Sequence, residues 1–340
     1  MKLPAEHLRK LQRTSSGSKR LFKYLRETAL NELSDSMATA SPAESESHIP
    51  VMLKEVLQHL NLKPGARVLD CTLGLAGHAV AIAEIIGAGG EIIGIDRDQG
   101  SLEKARQWLQ STAVKCQLRQ ADFRNLDEVL KELGGGSVDA ILFDLGISSY
   151  QLDDPQRGFS LKSDGPLDMR MDQGSYISAY ELVNSLSERE LSSIIKNFGE
   201  ERWHNRIARV LVQERLKKPI ETTQELSEVI LKAIPHRYQH QRIHPATRTF
   251  QAIRIAVNRE LEALELALTR SLAFLKVGGR ICVISFHSLE DRIVKETFRK
   301  NSQAGVLKII SKKPLRPEDQ EINNNPRSRS ARLRVAERTK

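Results

Sequence analysis

Four aspartates, Asp70, Asp96, Asp122 and Asp144, stand at or just beyond the ends of short apolar runs. A carboxylate so placed can grip a ribose diol, accept from an exocyclic amine or face a cationic ligand. Between the first two lies a turn of small residues, Gly74-Leu-Ala76-Gly77-His78, where a backbone can approach a ligand closely. Asp96 follows Asp70 by twenty-six residues and is placed for a bidentate grip on a ribose. Phe123, next to Asp122, can flank an adenine whose amino group the carboxylate receives. A dinucleotide would use a similar set, but this turn lacks the middle glycine of its fingerprint, whose helix start holds a pyrophosphate. Asp70, just before the turn, better suits a ligand carrying a sulfonium and an ammonium. The set favours S-adenosylmethionine. A turn that only packs a sheet would account for Gly74 alone, but poorly for the whole set in this order.

Such residues work only if a scaffold brings them together. Ala66–Thr72, Gly90–Asp96, Val114–Leu118 and Val138–Asp144 read as nearly continuous apolar strands, with helical spacing over Val51–Leu60, Ala79–Ile86, Ser101–Leu109 and Leu126–Leu133. Strands of that texture alternating with helices belong to a parallel sheet covered on both faces. Ligands of such sheets bind outside the carboxyl ends of the strands, where the acids stand. The alternation then stops. Gln151–Ser175 reads as a loop, and helices follow, with capping-box patterns at Ser187–Glu190 and Thr222–Glu225. It resumes with a long helix over Thr247–Leu275, a turn at Val277–Gly279, a strand at Arg280–Ser285 and a helix at Leu289–Arg299. Two short strands, near Val306–Ile310 and Ala331–Ala336, complete the count. The expected fold is α/β: a doubly wound, mostly parallel, seven-stranded sheet with an inserted small helical domain. Its expected units are a flexible N-terminal extension (1–47), a sheet domain (48–151 and 247–340) and a helical insertion (152–246).

Lys and Arg number 52 against 43 Asp and Glu, a net charge of +9, and residues 323–340 alone hold five Arg and one Lys against one Glu. More than half of the surplus falls in one short segment, which suits phosphate contacts better than general solubility. Cys71, Cys116 and Cys282 lie far apart in apolar runs, without the spacing of a metal site or disulfide framework. No metal is expected, and a reducing cytoplasm fits. No apolar stretch has the length of a membrane span, and the polar N-terminus shows no signal-peptide core. Residues 1–47 carry six acids beside eight Lys and Arg, which argues against a transit peptide.

The runs His48-Ile-Pro-Val51, Asp70-Cys-Thr72, Gly77-His78 and Asp96-Arg97-Asp98 resemble the RsmH/MraW family of ribosomal RNA cytosine-N4 methyltransferases. Further stretches carry the resemblance: Phe143–Ser149 with Gln151–Asp154, Arg157–Ser160 with Gly165–Asp172, Thr249–Ile255 with Val257-Asn258, Ser285–Arg292, and Asn325–Arg334. It covers the chain from His48 essentially to the end. The resemblance implies a Rossmann-like methyltransferase sheet and cofactor contacts at Ala76, Gly77, His78, Asp96, Phe123, Asp144 and Gln151. The family's turn normally reads Gly-x-Gly-Gly-His, so Ala76 replaces a glycine, and Tyr150 stands where a proline is common.

Methyl transfer from a sulfonium to an exocyclic amine is an in-line displacement, in which alignment supplies much of the catalysis. The cytosine amine is conjugated and weakly nucleophilic, so an acceptor for its proton would help it. Asp144 has two readings: it polarises that amine, or it contacts only the cofactor. Asp168 and Asp172 are candidates for lining the base pocket, against a solvated loop with Arg170 as partner. His287 is a candidate contact to base or backbone, against a structural histidine. Arg327, Arg329, Arg332 and Arg334 are candidates for gripping phosphates that flank an unstacked nucleotide. Alternating spacing on a strand would put Arg332 and Arg334 on one side. The expected substrate is small-subunit (16S) ribosomal RNA, naked or in a ribosomal particle. Oligomeric state stays open, a homodimer included. The competing readings are a methyltransferase acting on another amine, in DNA or protein, and a nucleic-acid-binding module with a vestigial cofactor fold.

Overall fold

The apolar runs that end on acids lie side by side. In the computed structural model, which describes residues 49–239 and 243–340, β1 (Arg67–Asp70), β2 (Glu91–Asp96), β3 (Lys115–Gln120) and β4 (Val138–Asp144) pair in parallel. The expected flexible extension over 1–47, and His48, lie outside the described residues. With β5 (Leu275–Ser285), β6 (Leu307–Ile309) and β7 (Arg332–Arg338), the order across the sheet is β3-β2-β1-β4-β5-β7-β6. Among the described strands only β7 runs against the rest. This is the doubly wound seven-stranded sheet that the sequence predicts.

Both faces of β1, β2 and β4 are buried because consecutive residues point to opposite sides, and here both are apolar, whereas β3 at the sheet edge is polar and largely exposed. Val68 and Ile92 join one core cluster with Leu57, Ile82 and Leu102, from α1 (Leu53–Leu60), α2 (Gly77–Ile86) and α3 (Gln99–Leu109). Their neighbours Leu69 and Ile93 join another with Leu130 of α4 (Leu126–Glu132). The chain winds outward from β1 through β2 to β3, then returns to place β4 on the other side of β1. At that reversal the connections leave β1 and β4 in opposite directions and open a crevice at the strands' carboxyl ends.

After β4 and the short α5 (Ser149–Asp153), the insertion builds its own core. It comprises α6 (Ala179–Ser185), α7 (Glu188–Gly199), α8 (His204–Arg215) and α9 (Thr223–Ala233), packed through Leu182, Leu191, Leu211 and Ile230. Both expected capping boxes form, Ser187 with Glu190 and Thr222 with Glu225.

The expected single helix over 247–275 is two, α10 (Thr247–Asn258) and α11 (Glu260–Ser271), broken at Arg259 with φ 50°. Packing explains the break. Phe250 and Ile253 of α10 belong to the core of the insertion, whereas Leu264 and Leu268 of α11 lie against the sheet. The chain must redirect its apolar stripe, yet Asn258-Arg-Glu260 carries no breaker for periodicity to detect. The expected turn at Val277–Gly279 also falls inside β5, as a pairing irregularity opposite Val138 and Ala140, with Gly278 at φ 80°. Beyond β5 come α12 (Ser288–Gln303) and α13 (Asp319–Asn324). Among the described residues no helix is long and apolar enough to cross a membrane.

Candidate cofactor and substrate cleft

A cleft of about 920 Å³ opens at the crevice. Of the residues singled out in the sequence, it brings together Gly77, His78, Asp96, Phe123, Asp144, Gln151 and Arg327. Ala76, Asp168, Asp172, His287, Arg329, Arg332 and Arg334 do not line it.

The glycine turn is held from below. Asp96 Oδ2 accepts from the Gly74 N–H at 2.7 Å and its Oδ1 from the Asp98 N–H at 2.9 Å. Gly74 has φ 52° and Ala76 φ 66°. Ala76 is therefore left-handed, a conformation that a glycine adopts without strain and an alanine does not. Its N–H donates to the Leu73 carbonyl at 2.8 Å, so the backbone donor is already engaged within the turn. Gly77 opens α2 beneath Pro50, and a Cβ there would come within 2.6 Å of Pro50 Cγ. Only glycine lets the segment before α1 close so tightly over the turn. His78 fixes the same lid: its Nε2 lies 3.0 Å from the Val51 carbonyl and its Nδ1 3.6 Å from Asp144 Oδ2.

Charge is arranged unusually at this spot. Asp144 takes one backbone constraint, its N–H donating to Thr72 Oγ1 at 2.6 Å. Among the described residues its Oδ1 is the only carboxylate oxygen buried without a hydrogen-bond partner. Asp70 lies just beneath, its Oδ1 accepting from the Thr72 N–H at 3.1 Å. Burial, with repulsion from Asp96 added and hydrogen bonds to Thr72 opposing, pushes the Asp70 carboxyl up to about 7. Burial also raises Asp96 above the usual carboxylate range. It raises Asp144 further, with Asp70, Glu290 and Glu321 adding repulsion. Crowded carboxyls with an unanswered oxygen suit a ligand that brings positive charge, and repel a diphosphate.

Around the cleft runs a paired network that no local sequence pattern announces. Asp98 caps α3 through Oδ1, and its Oδ2 accepts from Gln151 Nε2 at 2.8 Å and Arg157 Nη1 at 2.5 Å. Arg157 Nη2 also donates to the carbonyls of Arg170 and Met171, at 3.0 and 2.9 Å. Asn258 accepts from the Met171 N–H and donates to the Met169 carbonyl, each at 2.8 Å. These bonds sew the insertion's loop to the sheet domain. They leave Gln151 buried at the cleft wall with its amide engaged, Oε1 accepting from the Ser148 N–H at 3.1 Å. Phe123 stands edge-on to Phe143 with centroids 5.9 Å apart, and the Arg97 guanidinium lies 5.1 Å from its ring centroid. Asp122 is bound by Arg97 at 2.7 Å and Arg124 at 2.6 Å.

The remaining candidates have partners outside the cleft. Asp168 binds Arg170 through both oxygens, at 2.9 and 2.7 Å, and Asp172 accepts from the Gly174 N–H at 2.9 Å. Asp172 lines a separate polar cleft with Arg97 and Arg259. His287 caps α12, its Nε2 3.3 Å from Glu290. Burial pushes the Glu290 carboxyl up, but His287 and Arg254 together hold it below its ordinary value. Arg332 and Arg334 do share one side of β7, where both meet Asp291, at 3.4 and 2.6 Å. Arg327 reaches Asp153 at 2.6 Å, and Arg329 is exposed.

Comparison with known proteins gives this geometry a family. Residues 45–339 match the MraW methylase family. The ribosomal RNA small subunit methyltransferase H of Brevibacillus brevis is 45% identical over 306 residues, covering 86% of this chain and 98% of that protein. Its counterpart in Halothermothrix orenii is 46% identical over 306 residues, with the same coverage of 86% and 98%. Among solved structures, an rRNA methylase from Streptococcus thermophilus aligns at 13% identity and a TM-score of 0.42, covering 86% of this chain and all of that one. With a family match that spans the whole sheet and insertion, and relatives of this identity over nearly their full length, the chain belongs to the MraW methylase family.

Proposed function

We propose that this chain methylates N4 of a cytosine in small-subunit (16S) ribosomal RNA, with S-adenosylmethionine as donor, and that it works in the cytoplasm on the RNA or its ribosomal particle. Within its family, the observation that carries the reading is the unpartnered Asp144 Oδ1, buried beside Asp70 where β1 and β4 part. The Gly74–His78 turn and Asp96 would hold the donor's amino-acid and ribose parts, with Phe123 against the adenine and Gln151 on the wall. Ala76 contributes by shaping the turn, since its N–H is bonded to Leu73.

Bound there, S-adenosylmethionine supplies a methyl carbon activated by its sulfonium. Asp144 would take up the proton that the amine must lose when it gains the methyl group. A positive charge beside it favours its ionised form, which accepts a hydrogen bond from the cytosine amine and stabilises the charge developing on nitrogen. His78, fixed on Val51 and close to Asp144, keeps that carboxyl oriented. Arg327 and Arg329, exposed at the rim, meet RNA phosphates. Asp168, Asp172, His287, Arg332 and Arg334 act through the loops and strand they hold.

Unmodified small subunits incubated with methyl-labelled donor, followed by digestion of the RNA to nucleosides, test the reading. Label should elute as N4-methylcytidine. Label in protein or DNA instead overturns the substrate, and the absence of binding heat with folded protein and donor overturns the cofactor.

A further inference from the structure

The donor cleft shares a wall with a second groove of about 1050 Å³. Leu75, Ser149 and Arg327 line both, so the groove opens on the side of α5, which follows Asp144 in the chain. Tyr150 is built into its wall. Gly100 leaves no side chain against the ring, where a Cβ would lie 3.3 Å from Tyr150 Cε1, and the Lys104 ammonium sits 3.9 Å from the ring centroid. Both residues belong to α3, whose cap Asp98 also binds Gln151, the residue after Tyr150. At the far wall the Asn325 amide donates to the Ile49 carbonyl at 3.1 Å. Asp153 and Asp154 line the groove as well, and Arg327 reaches across it to Asp153. That pair is exposed, with 43% of the arginine side chain and 57% of the aspartate accessible, so exchanging it for another partner takes little free energy.

An aromatic ring, two carboxylates, an amide and one guanidinium around a single concavity match the parts of a nucleotide. A ring packs against a base, carboxylates accept from exocyclic amines and ribose hydroxyls, and a guanidinium takes a phosphate. The carboxylates disfavour an acidic peptide or a free diphosphate. Resting on the RNA reading of the adjoining cleft, we propose that this groove holds the nucleotide next to the target cytosine in the RNA strand. Its base packs against Tyr150, and its phosphate takes Arg327 from Asp153. Holding the neighbour in a separate compartment keeps the target base unstacked, which chemistry on an exocyclic amine requires.

Fluorescence anisotropy with a single-stranded, cytosine-containing oligoribonucleotide, and with versions abasic on the 5′ or the 3′ side of that cytosine, tests this. Tyr150→Ala should weaken binding of the intact strand about tenfold, and Tyr150→Phe should restore it. One abasic position should weaken the wild type by a similar factor yet add nothing in Tyr150→Ala. Arg327→Ala should lower the slope of log affinity against log salt by about one. Donor affinity by calorimetry should be unchanged in Tyr150→Ala, which shows that the variant is folded. Equal binding by wild type and Tyr150→Ala, or equal losses on intact and abasic strands, overturns the groove. If the wild type methylates RNA while this coupling is absent, only the groove fails. If it methylates protein or DNA and not RNA, the groove and the ribosomal reading fall together.

Discussion

The mouth of the crevice and the seam beside it use the same residue type to opposite effect. At the seam, buried Asp98 meets two backbone N–H groups, an amide and a guanidinium. Within the sheet domain, Asp291 of α12 likewise meets Arg332 and Arg334 of β7, and although burial pushes its carboxyl up, they hold it below the usual range. At the mouth, Asp96 and Asp144 line the cleft with Asp70 just beneath, and burial drives all three up, with Asp96 repelling Asp70 and Asp70 repelling Asp144. A buried carboxylate with a complete set of partners fastens elements together. Several crowded carboxyls that no bonded guanidinium or ammonium answers make a site that a charge from outside the chain would complete.

If that contrast is sound, breaking the two regions must change different observables. The largest effect on folding belongs to the seam. Arg157→Ala leaves buried Asp98 with neutral donors but no guanidinium and should destabilise the fold by about 3 kcal/mol, read by denaturant unfolding. A variant as stable as the wild type would mean that the seam is not what joins insertion to sheet. Asp144→Asn should have the reverse profile. It replaces a carboxyl that burial already pushes toward its neutral form and whose Oδ1 has no partner, so stability should hold or rise, while single-turnover methyl transfer falls by roughly 10²–10³. Loss of stability with activity intact would place Asp144 among the fastening groups.

The pH dependence sharpens the contrast further. Asp70 is raised from 3.8 to about 7 in the folded protein, so between these values the fold holds a proton that the unfolded chain has released. The contribution of this group to stability therefore declines as pH rises through that window and levels off above about 7. A cationic ligand reverses the preference by favouring the ionised carboxyl. Affinity for S-adenosylmethionine should rise up to about tenfold between roughly pH 6 and 8, more steeply than for S-adenosylhomocysteine, whose sulfur is uncharged. Asp70→Asn should flatten the slope. Equal slopes for the two ligands would remove the charge argument.

The mouth is legible in the sequence, and the seam is not, for a physical reason. Strands buried on both faces announce themselves as apolar runs. The polar residue that ends each run marks the carboxyl edge of the sheet, where Asp96 and Asp144 line the cleft and Asp70 lies just beneath it. The seam depends on pairs that no local pattern encodes. Arg157 and Asp98 are 59 positions apart, and Met171 and Asn258 are 87 apart. Asp98, two residues before Gly100 at the head of a helix, carries a readable capping signal, but only for half of its role. Strand alternation puts Arg332 and Arg334 on one side, where they are found, yet nothing in β7 tells of Asp291 on α12. The break at Arg259 is hidden for the same reason: it serves two different cores.

The smallest effect lies in the turn itself. Ala76 holds φ 66° and ψ 20° at the start of α2 while being fully buried, a conformation that an L-residue adopts at a cost of about 1 kcal/mol or more. Its N–H bond to Leu73 does not require the methyl group, so Ala76→Gly relieves the strain without deleting a hydrogen bond, but it removes one buried methyl from the core, worth about 0.8 kcal/mol. Glycine also gives the unfolded chain more freedom to lose, roughly 0.4–1 kcal/mol. The terms nearly cancel, so Ala76→Gly should stay within about 0.5 kcal/mol of the wild type, with a melting temperature shifted by no more than about a degree for a chain of this size. Ala76→Val should be destabilised by several times as much, since a β-branched residue tolerates positive φ least. A glycine variant that melts clearly below the wild type would show that the methyl group packs usefully under the turn and outweighs the strain. The turn would then belong with the fastened seam, and the mouth would be defined by its carboxylates alone.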